Sequence, residues 1–302
     1  YKLKKIIVRV KGGLGNQLFH YAVAKRLSIY NNCNLVIDNK TSFQKYDYLY
    51  NREYNLDNFC IKERLANKSE RLEPFEKIRR NALFYYSKFQ SFENKLIYTT
   101  GFNEFDERFL HLKIKNSIIL DGNWQSEEYF KDIEDDIVEN LKFKNLYKLK
   151  KNILYRDIMN KNSVGVHFRS HGYKDPSIDS SFNANKKYYS DAINYIYNRV
   201  DNPHFYIFSD GRTNINNFID LSNIAYTIVN SDKNNKNPIN DFFLLSNCKY
   251  FIIAASTFSW WAAWLSKNKN KIVITPNVVQ TDMYKTSAWG FKGLIPKKWI
   301  II

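Results

Sequence analysis

At the start of the chain, apolar runs and glycine or polar turns follow one another in a strand, helix, strand order. The β-branched run at 6–10 predicts a strand, and the apolar positions over 16–30 recur with the period of a helix. A second apolar run, 35–37, predicts another strand. The beginning of the chain is therefore predicted to form a β-α-β unit.

Between about residues 40 and 110, charged and aromatic residues follow no clean period. Helices are predicted at 61–72 and 74–88, and an apolar run predicts a strand at 117–121. Ser126 is followed by two acidic residues, which predicts a helix that starts there and runs to about residue 141.

The second half of the chain alternates strands and helices plainly, which is typical of a parallel, doubly wound α/β sheet. Strands are predicted near 163–169, 204–209, 224–229, 249–254 and 271–275. The segment 142–162 is rich in lysine and asparagine and predicts the division between two lobes. We therefore expect one domain at 1–150 and another at 151–302, with strand carboxyl ends on the walls of a cleft.

Composition narrows the class of protein further. Of 302 residues, 44% are hydrophobic and 17% are aromatic, enough for a sizeable core. The net charge of +16 favours an anionic partner such as phosphate, lipid or nucleic acid, although a general lysine bias gives the same excess.

The apolar stretch 251–265 contains hydroxyl residues and predicts a buried strand and helix rather than a membrane span. Three widely separated cysteines predict reduced thiols.

A glycine-rich loop, 12–17, joins the first predicted strand to the first helix. Glycines let backbone amides at a helix N-terminus approach a phosphate. The loop fits neither the dinucleotide fingerprint nor the P-loop, because Leu18 occupies the third glycine position and no Gly-Lys-Ser/Thr follows. A tight strand-to-helix turn is the alternative interpretation.

Two later strands end in side chains suited to a nucleotide. Arg169 could contact a diphosphate through two nitrogens, and His167 could orient a phosphate or sugar hydroxyl, although a histidine there is more often structural. Ser209 and Asp210 end another predicted strand, where the carboxylate could accept hydrogen bonds from a base or ribose. A plain turn explains that segment equally well.

The segment 256–261, Ser-Thr-Phe-Ser-Trp-Trp, follows an apolar strand and opens a helix. Its hydroxyls and helix N-terminal amides could form a second anion cradle. The alternative is an N-cap followed by an aromatic core face, and both interpretations can hold together.

Taken together, five segments resemble the ordered motifs of the alpha-1,2-fucosyltransferases and span nearly the whole chain: 12–19, 122–127, 166–169, 208–210 and 256–261. The resemblance implies a GT-B-type fold with two Rossmann-like lobes. It implies GDP-fucose as donor, inversion at the anomeric carbon, transfer to the 2-hydroxyl of a galactoside, and neither metal nor other cofactor. The first lobe would bind an oligosaccharide or glycolipid acceptor and the second lobe the donor.

The resemblance also assigns roles to individual residues. Arg169 and His167 would be catalytic and would hold the diphosphate. The donor-binding residues would be Gly15, Asn16, Ser209, Asp210, Ser256, Thr257 and Phe258.

The chain departs from the pattern of this family at several positions. The family usually has His-x-Arg-Arg-x-Asp-Tyr, whereas Ser170 and Gly172 replace the second arginine and the aspartate. Ala255 stands where asparagine is usual, and Gly211 where a second acidic residue often occurs. The donor and the general base therefore stay open. Alongside deprotonation by the departing phosphate, the candidate bases are His171, Asp175 and Asp179.

Three other functions compete with fucosyl transfer. The departures motivate an enzyme of the same fold that uses another GDP-linked deoxysugar, or a relative that binds GDP without turnover. The +16 charge motivates a protein that binds nucleic acid or anionic glycan. No RNA-recognition, helix-turn-helix or zinc-knuckle pattern is present, so we expect no nucleic-acid partner. We expect a cytoplasmic enzyme, with peripheral contact between its basic surface and anionic lipid as an open alternative.

Overall fold

The computed structural model of the chain describes residues 4–43, 52–100, 105–169, 184–209, 215–217, 219–229, 238–277 and 293–302. The chain divides into two compact units. The first comprises Tyr1–Lys144 and Phe291–Leu294, and the second comprises Asn145–Gly290 and Ile295–Ile302. The division therefore falls at 144/145, slightly before the break that we expected at 150/151.

In the first unit, the described strands form one parallel sheet with the order β3-β2-β1-β5-β4. The strands are β1 (Lys5–Arg9), β2 (Asn34–Asp38), β3 (Arg64–Leu65), β4 (Ile97–Tyr98) and β5 (Ile118–Leu120). The helices are α1 (Leu14–Tyr30), α2 (Glu76–Lys88) and α3 (Glu134–Asn140). Because β1 and β5 are neighbours, the loops that follow them lie side by side.

In the second unit, the described strands again form one parallel sheet, with the order β11-β10-β9-β6-β7-β8. The strands are β6 (Asn162–Phe168), β7 (Pro203–Ser209), β8 (Tyr226–Val229), β9 (Tyr250–Ile252), β10 (Val273–Thr275) and β11 (Ile300–Ile301). The helices are α4 (Leu146–Lys150), α5 (Ile153–Asn160), α6 (Lys186–Tyr197), α7 (Ile239–Ser246) and α8 (Thr257–Leu265). This is the strand order of dinucleotide-binding folds, with its switch point between β6 and β9.

Burial explains why the central strands were readable from the sequence. Parallel strands covered on both faces are continuously apolar, and Ile6, Val8, Val164 and Val166 are fully or almost fully buried. The strands with two residues, β3, β4 and β11, are too short to show a period and were not predicted.

Two predictions about the first unit are wrong. No helix forms at 61–72, because Arg64 and Leu65 pair with β2 and a turn follows, closed by reciprocal hydrogen bonds between Asn67 and Glu70. The helix predicted from Ser126 is interrupted. Ser126 caps a single 3-10 turn, Glu127–Tyr129, and the extended φ of −147° at Phe130 then breaks the helical path. This break lets both Tyr129 and Phe130 reach the core.

The division at 144/145 falls within the segment 142–162, as predicted, and this segment also contains α4, α5 and the start of β6. The stretch 251–265 forms the end of β9 and helix α8, as predicted. Cys33, Cys60 and Cys248 are all free thiols. Among the described residues, no helix has both the length and the apolarity needed to cross a membrane.

Candidate active site

The candidate active site of the second unit lies where β6 and β9 end. The two strands pair in parallel, with Val166 opposite Ile252. Arg169 directly follows β6, and Ser256 is the N-cap residue of α8, which follows β9. Nη1 of Arg169 donates a hydrogen bond of 3.1 Å to Oγ of Ser256, across 87 positions of sequence. Sheet order thus brings together the arginine and the serine that the sequence singled out separately.

The hydroxyl of Ser256 has a role that differs from an ordinary N-cap. Its side chain makes no capping hydrogen bond to α8 and accepts a hydrogen bond from Arg169 instead. At the opposite end of α8, Nζ of Lys271 donates to the carbonyl oxygens of Ala263, Trp264 and Ser266. A cation at the helix C-terminus complements the helix dipole, whose positive end lies beside Arg169. The guanidinium of Arg169 and the N-terminus of α8 lie next to each other, and together they favour the binding of an anion.

His167 is held by three contacts close to this point. Its Nδ1 lies 2.9 Å from Oγ of Ser259, its ring centroid lies 5.4 Å from that of Phe258, and its backbone oxygen accepts a hydrogen bond from Tyr189. The Ser259 hydroxyl also lies 3.3 Å from the carbonyl oxygen of Ser256, which can accept its hydrogen bond. Which ring nitrogen of His167 donates and which accepts depends on the tautomer of the imidazole.

The other site residues predicted in this unit are placed only in part. Ser209 ends β7 in register with Phe168, so it lies one strand away from Arg169. Thr257 is the first residue of α8, and Ala255 is buried in the turn before it. Outside the described residues lie Asp210, Gly211, Ser170, His171, Gly172, Asp175 and Asp179. Their roles stay predictions.

In the first unit, the glycine-rich loop is held in a defined conformation. Gly12 has a φ of +74°, which favours glycine, and Gly13 is the N-cap residue of α1. Gly15 and Asn16 therefore lie in the first turn of α1. Gln17 is fully buried, and its side-chain amide donates to the carbonyl oxygens of Gly12 and Glu53, at 2.9 and 2.8 Å. Gln17, which the sequence did not single out, thus anchors the loop.

The segment 122–127, which follows β5, contacts this loop and its helix. Nε2 of Gln125 donates to Oδ1 of Asn16 at 3.1 Å, and Oδ1 of Asn123 lies 3.2 Å from Nε2 of His20. A Cβ atom at Gly122 would lie 2.5 Å from the backbone nitrogen of Thr100, so only glycine fits there. The motifs therefore meet in pairs: 12–19 with 122–127, and 166–169 with 256–261.

An ionic cluster surrounds Asp121 at the same edge of the first sheet. The Asp121 carboxylate lies 3.1 Å from Arg9, 3.0 Å from Lys11 and 3.5 Å from Arg80. Burial alone would raise the pKa of Asp121, but Lys11 and Arg9 outweigh it and hold that pKa below its usual value. Sequence reasoning missed this cluster, because the strand order that makes β1 and β5 neighbours is not visible in the sequence.

His20 lies in the core beside this cluster. It is almost fully buried, and the backbone N–H of Lys11 faces its Nδ1 at 3.5 Å, so Nε2 donates to Asn123. Burial, reinforced by the charge of Lys11, lowers the pKa of His20 to about 4. The imidazole is therefore neutral at pH 7.

The chain has two units of Rossmann type, and each is built on a sheet of parallel strands. With an arginine and a helix N-terminus at the switch point of the second sheet, these units define a GT-B-type glycosyltransferase fold. A sequence model described as "Glycosyl transferase family 11" matches residues 5–300, and the chain belongs to this family. The resemblance to the fucosyltransferase family that the motifs indicated is thereby confirmed, and the chain is a glycosyltransferase of family 11.

Three similar proteins illustrate the range of the family and of the fold. The chain is 27% identical over 300 residues to an alpha-1,2-colitosyltransferase of Escherichia coli, and the match covers 98% of both chains. It is 29% identical over 288 residues to the O-antigen biosynthesis glycosyltransferase WbnK of Escherichia coli, covering 88% of this chain and 92% of WbnK. The alpha-1,6-fucosyltransferase NodZ from Bradyrhizobium, in crystals soaked with GDP-fucose, has a TM-score of 0.54 at 16% identity. That likeness covers 87% of this chain and 93% of NodZ.

Proposed function

We propose that this protein transfers L-fucose from GDP-fucose to the 2-hydroxyl of a galactoside, in an oligosaccharide or a lipid-linked glycan. The observation that carries the proposal is the contact between Arg169 and Ser256 at the switch point of the second sheet. Parallel sheets of this kind bind nucleotides outside the strand ends at such a point. The donor GDP-sugar would therefore bind to the second unit and the acceptor to the first.

In the proposed reaction, the acceptor oxygen attacks the anomeric carbon while the bond from that carbon to the diphosphate oxygen breaks. GDP leaves with the bonding electrons, and the proton of the acceptor hydroxyl passes to a base or to the departing phosphate. Arg169 and the N-terminus of α8 would stabilise the negative charge that develops on the diphosphate. A cationic side chain and a helix dipole can supply this stabilisation, which supports a reaction that needs no metal ion.

The linkage and the acceptor are proposed from two kinds of support. The alpha-1,2 linkage is that of the motif family and of the colitosyltransferase relative. An acceptor of O-antigen type is supported by the name of the second relative, WbnK. NMR spectroscopy of the purified product would test both the linkage and the acceptor. In a product linked at position 2 of galactose, the anomeric proton of the transferred sugar has a through-bond correlation to C2 of that galactose.

The proposed role of Arg169 is tested by GDP release from GDP-fucose, with and without a β-galactoside acceptor, in EDTA. We expect acceptor-dependent release from the wild type, and a loss of about 10²–10³-fold in kcat/KM for Arg169→Ala. Arg199→Ala is the matched control, because Arg199 is an exposed arginine of the same unit that stacks on Tyr195. Equal activity of the two variants would contradict the role of Arg169.

The identity of the donor sugar needs a separate test, because Ala255 occupies the turn between β9 and α8 where the family usually has asparagine. We propose as the alternative that the enzyme uses another GDP-linked deoxysugar, which the colitosyltransferase relative supports. A panel of GDP-sugars compared by kcat/KM distinguishes the two donors. GDP binding without turnover of any donor would indicate a non-catalytic relative.

A further inference from the structure

The outer face of α2 carries a stripe of exposed apolar side chains. The exposed fractions are 66% for Phe75, 69% for Ile78, 61% for Tyr85, 54% for Tyr86 and 88% for Phe89. At 100° per residue these positions, with Ala82, fall within a stripe about 100° wide along one side of the helix. We refer to the residues Phe75, Ile78, Ala82, Tyr85, Tyr86 and Phe89 as the α2 stripe.

The opposite face of α2 packs on the sheet of the first unit. Leu83 and Phe84 contact the core cluster that includes Ile7 and Val36. Oγ of Ser87 accepts hydrogen bonds from the backbone nitrogens of Leu96 and Ile97. The inner face of α2 therefore anchors the helix to the first unit, and the α2 stripe lies on the face that points away from the core of that unit.

Cationic side chains flank the stripe on both sides. By helical spacing, Lys77 and Lys88 lie along one margin and Arg79 along the other. All three are exposed, and Glu76 is the single carboxylate in the sequence of this helix. Nζ of Lys88 lies 5.2 Å from the ring centroid of Tyr85, so its charge is held beside the stripe. Aromatic and aliphatic side chains flanked by cations characterise helices that lie in the interface of an anionic membrane.

We propose that the α2 stripe and its flanking cations form a peripheral docking surface for an anionic lipid bilayer. The rings and Ile78 would enter the boundary between headgroups and acyl chains, and the lysines and arginine would contact acidic headgroups. A net charge of +16 on the chain adds long-range attraction to the same surface. The proposal does not depend on which donor the enzyme uses.

A second copy of the chain fits this surface less well than lipid does. Antiparallel packing of two α2 helices would place the margin that carries Lys77 and Lys88 against the same margin of the other copy. An aromatic side chain offers about 150–250 Å², so the exposed fractions of Phe75, Tyr85, Tyr86 and Phe89 amount to roughly 500 Å² of accessible surface. Stable interfaces bury about 800 Å² on each partner.

The proposal is tested by sedimentation of the full chain with lipid vesicles. We expect binding to vesicles of phosphatidylcholine with 30% phosphatidylglycerol, and at least tenfold weaker binding to pure phosphatidylcholine. The double variant Ile78→Ser/Phe89→Ser should weaken binding to the anionic vesicles at least tenfold. Lys77→Gln/Lys88→Gln should do the same at low salt and lose its effect at high salt.

The second unit offers a matched control. Tyr147 and Ile153 are 79% and 80% exposed and also lie among lysines, so Tyr147→Ser/Ile153→Ser removes a similar apolar area elsewhere. This variant should bind the anionic vesicles as the wild type does, and circular dichroism should show that both double variants are folded. Equal losses in the two variants, or no binding by the wild type, would overturn the proposal. A dimer that forms in solution and is lost only in Ile78→Ser/Phe89→Ser would also overturn it, in favour of a second copy.

Discussion

The two sheets carry their polar side chains at equivalent edges but use them differently. At the carboxyl ends of β1 and β5, the largely buried carboxylate of Asp121 lies among Arg9, Lys11 and Arg80 and offsets one of their three charges. At the carboxyl ends of β6 and β9, Arg169 donates a hydrogen bond to the neutral hydroxyl of Ser256 at the N-terminus of α8. The first edge thus centres on a carboxylate among cations, whereas the second combines a guanidinium with the positive end of a helix dipole, which favours an anion. The same topology thus supports an ionic cluster in one unit and a candidate anion site in the other.

The largest effect that we expect from this comparison is on stability in the first unit. Asp121→Asn removes the carboxylate and leaves Arg9, Lys11 and Arg80 close together, which should lower the free energy of unfolding by about 3–5 kcal/mol. Urea denaturation at low and high salt measures the loss, which salt should reduce because it screens repulsion among the cations.

The control for this variant is Asp191→Asn, which breaks an exposed ion pair with Lys187 on α6. It should cost less than about 1 kcal/mol, because exposed pairs contribute little. If both variants lose the same small amount, the cluster around Asp121 is not a stabilising feature and the contrast between the two edges is lost.

The next effect is a dependence of stability on pH that originates at His20. Its pKa falls from 6.5 in the unfolded chain to about 4 in the folded protein. Between these values the unfolded chain binds more protons, so this contribution is complete above pH 6.5 and is lost as the pH falls towards 4. The loss amounts to about 3 kcal/mol.

His20→Gln should abolish this part of the pH dependence, as measured by urea denaturation at pH 7 and pH 4.5. The exposed His111 gives the control His111→Gln, which should keep the wild-type slope. An unchanged slope in His20→Gln would show that the buried imidazole is not the group that titrates.

The smallest effect concerns the second edge. Ser259→Ala removes the hydroxyl that faces Nδ1 of His167, so the imidazole can adopt either tautomer. We expect kcat/KM to fall about tenfold, equivalent to about 1.4 kcal/mol, with a change in its pH profile. Ser246→Ala is the matched control, because this buried hydroxyl donates to a carbonyl oxygen of its own helix, α7. Identical kinetics of the two variants would assign Ser259 to packing alone.

The sequence predicted the elements of the second unit better than those of the first. Strands β6, β7, β9 and β10 are largely buried and apolar, and helices lie between the successive elements, so the pattern of the sequence reports these strands directly. In the first unit, the segment 61–72 has the composition of a helix, yet pairing with β2 and the turn at Asn67 and Glu70 override that preference. Local propensity is a weak guide where tertiary pairing determines the conformation.

For the site residues too, the sequence predicted local features but not tertiary contacts. Arg169, His167 and Ser256 were recognisable because they end strands or begin a helix in distinctive motifs. Their mutual contacts were not predictable, because Ser256 lies 87 positions from Arg169. The roles of Asp121 and His20 depend on atoms contributed by distant segments, and no local signal marked them. Gln17 lies within the first motif, but its bond to Glu53 was not predictable from the sequence.

By itself, the sequence determined the α/β class, the alternation of strands and helices, and the motifs that identify the family. These properties depend on local periodicity and on the identity of short runs of residues. The tertiary structure decided which motifs meet, because the order β3-β2-β1-β5-β4 and the order β11-β10-β9-β6-β7-β8 place particular strand ends next to each other. It also decided which charges are balanced and which polar groups are buried, since both depend on neighbours that are far away along the chain.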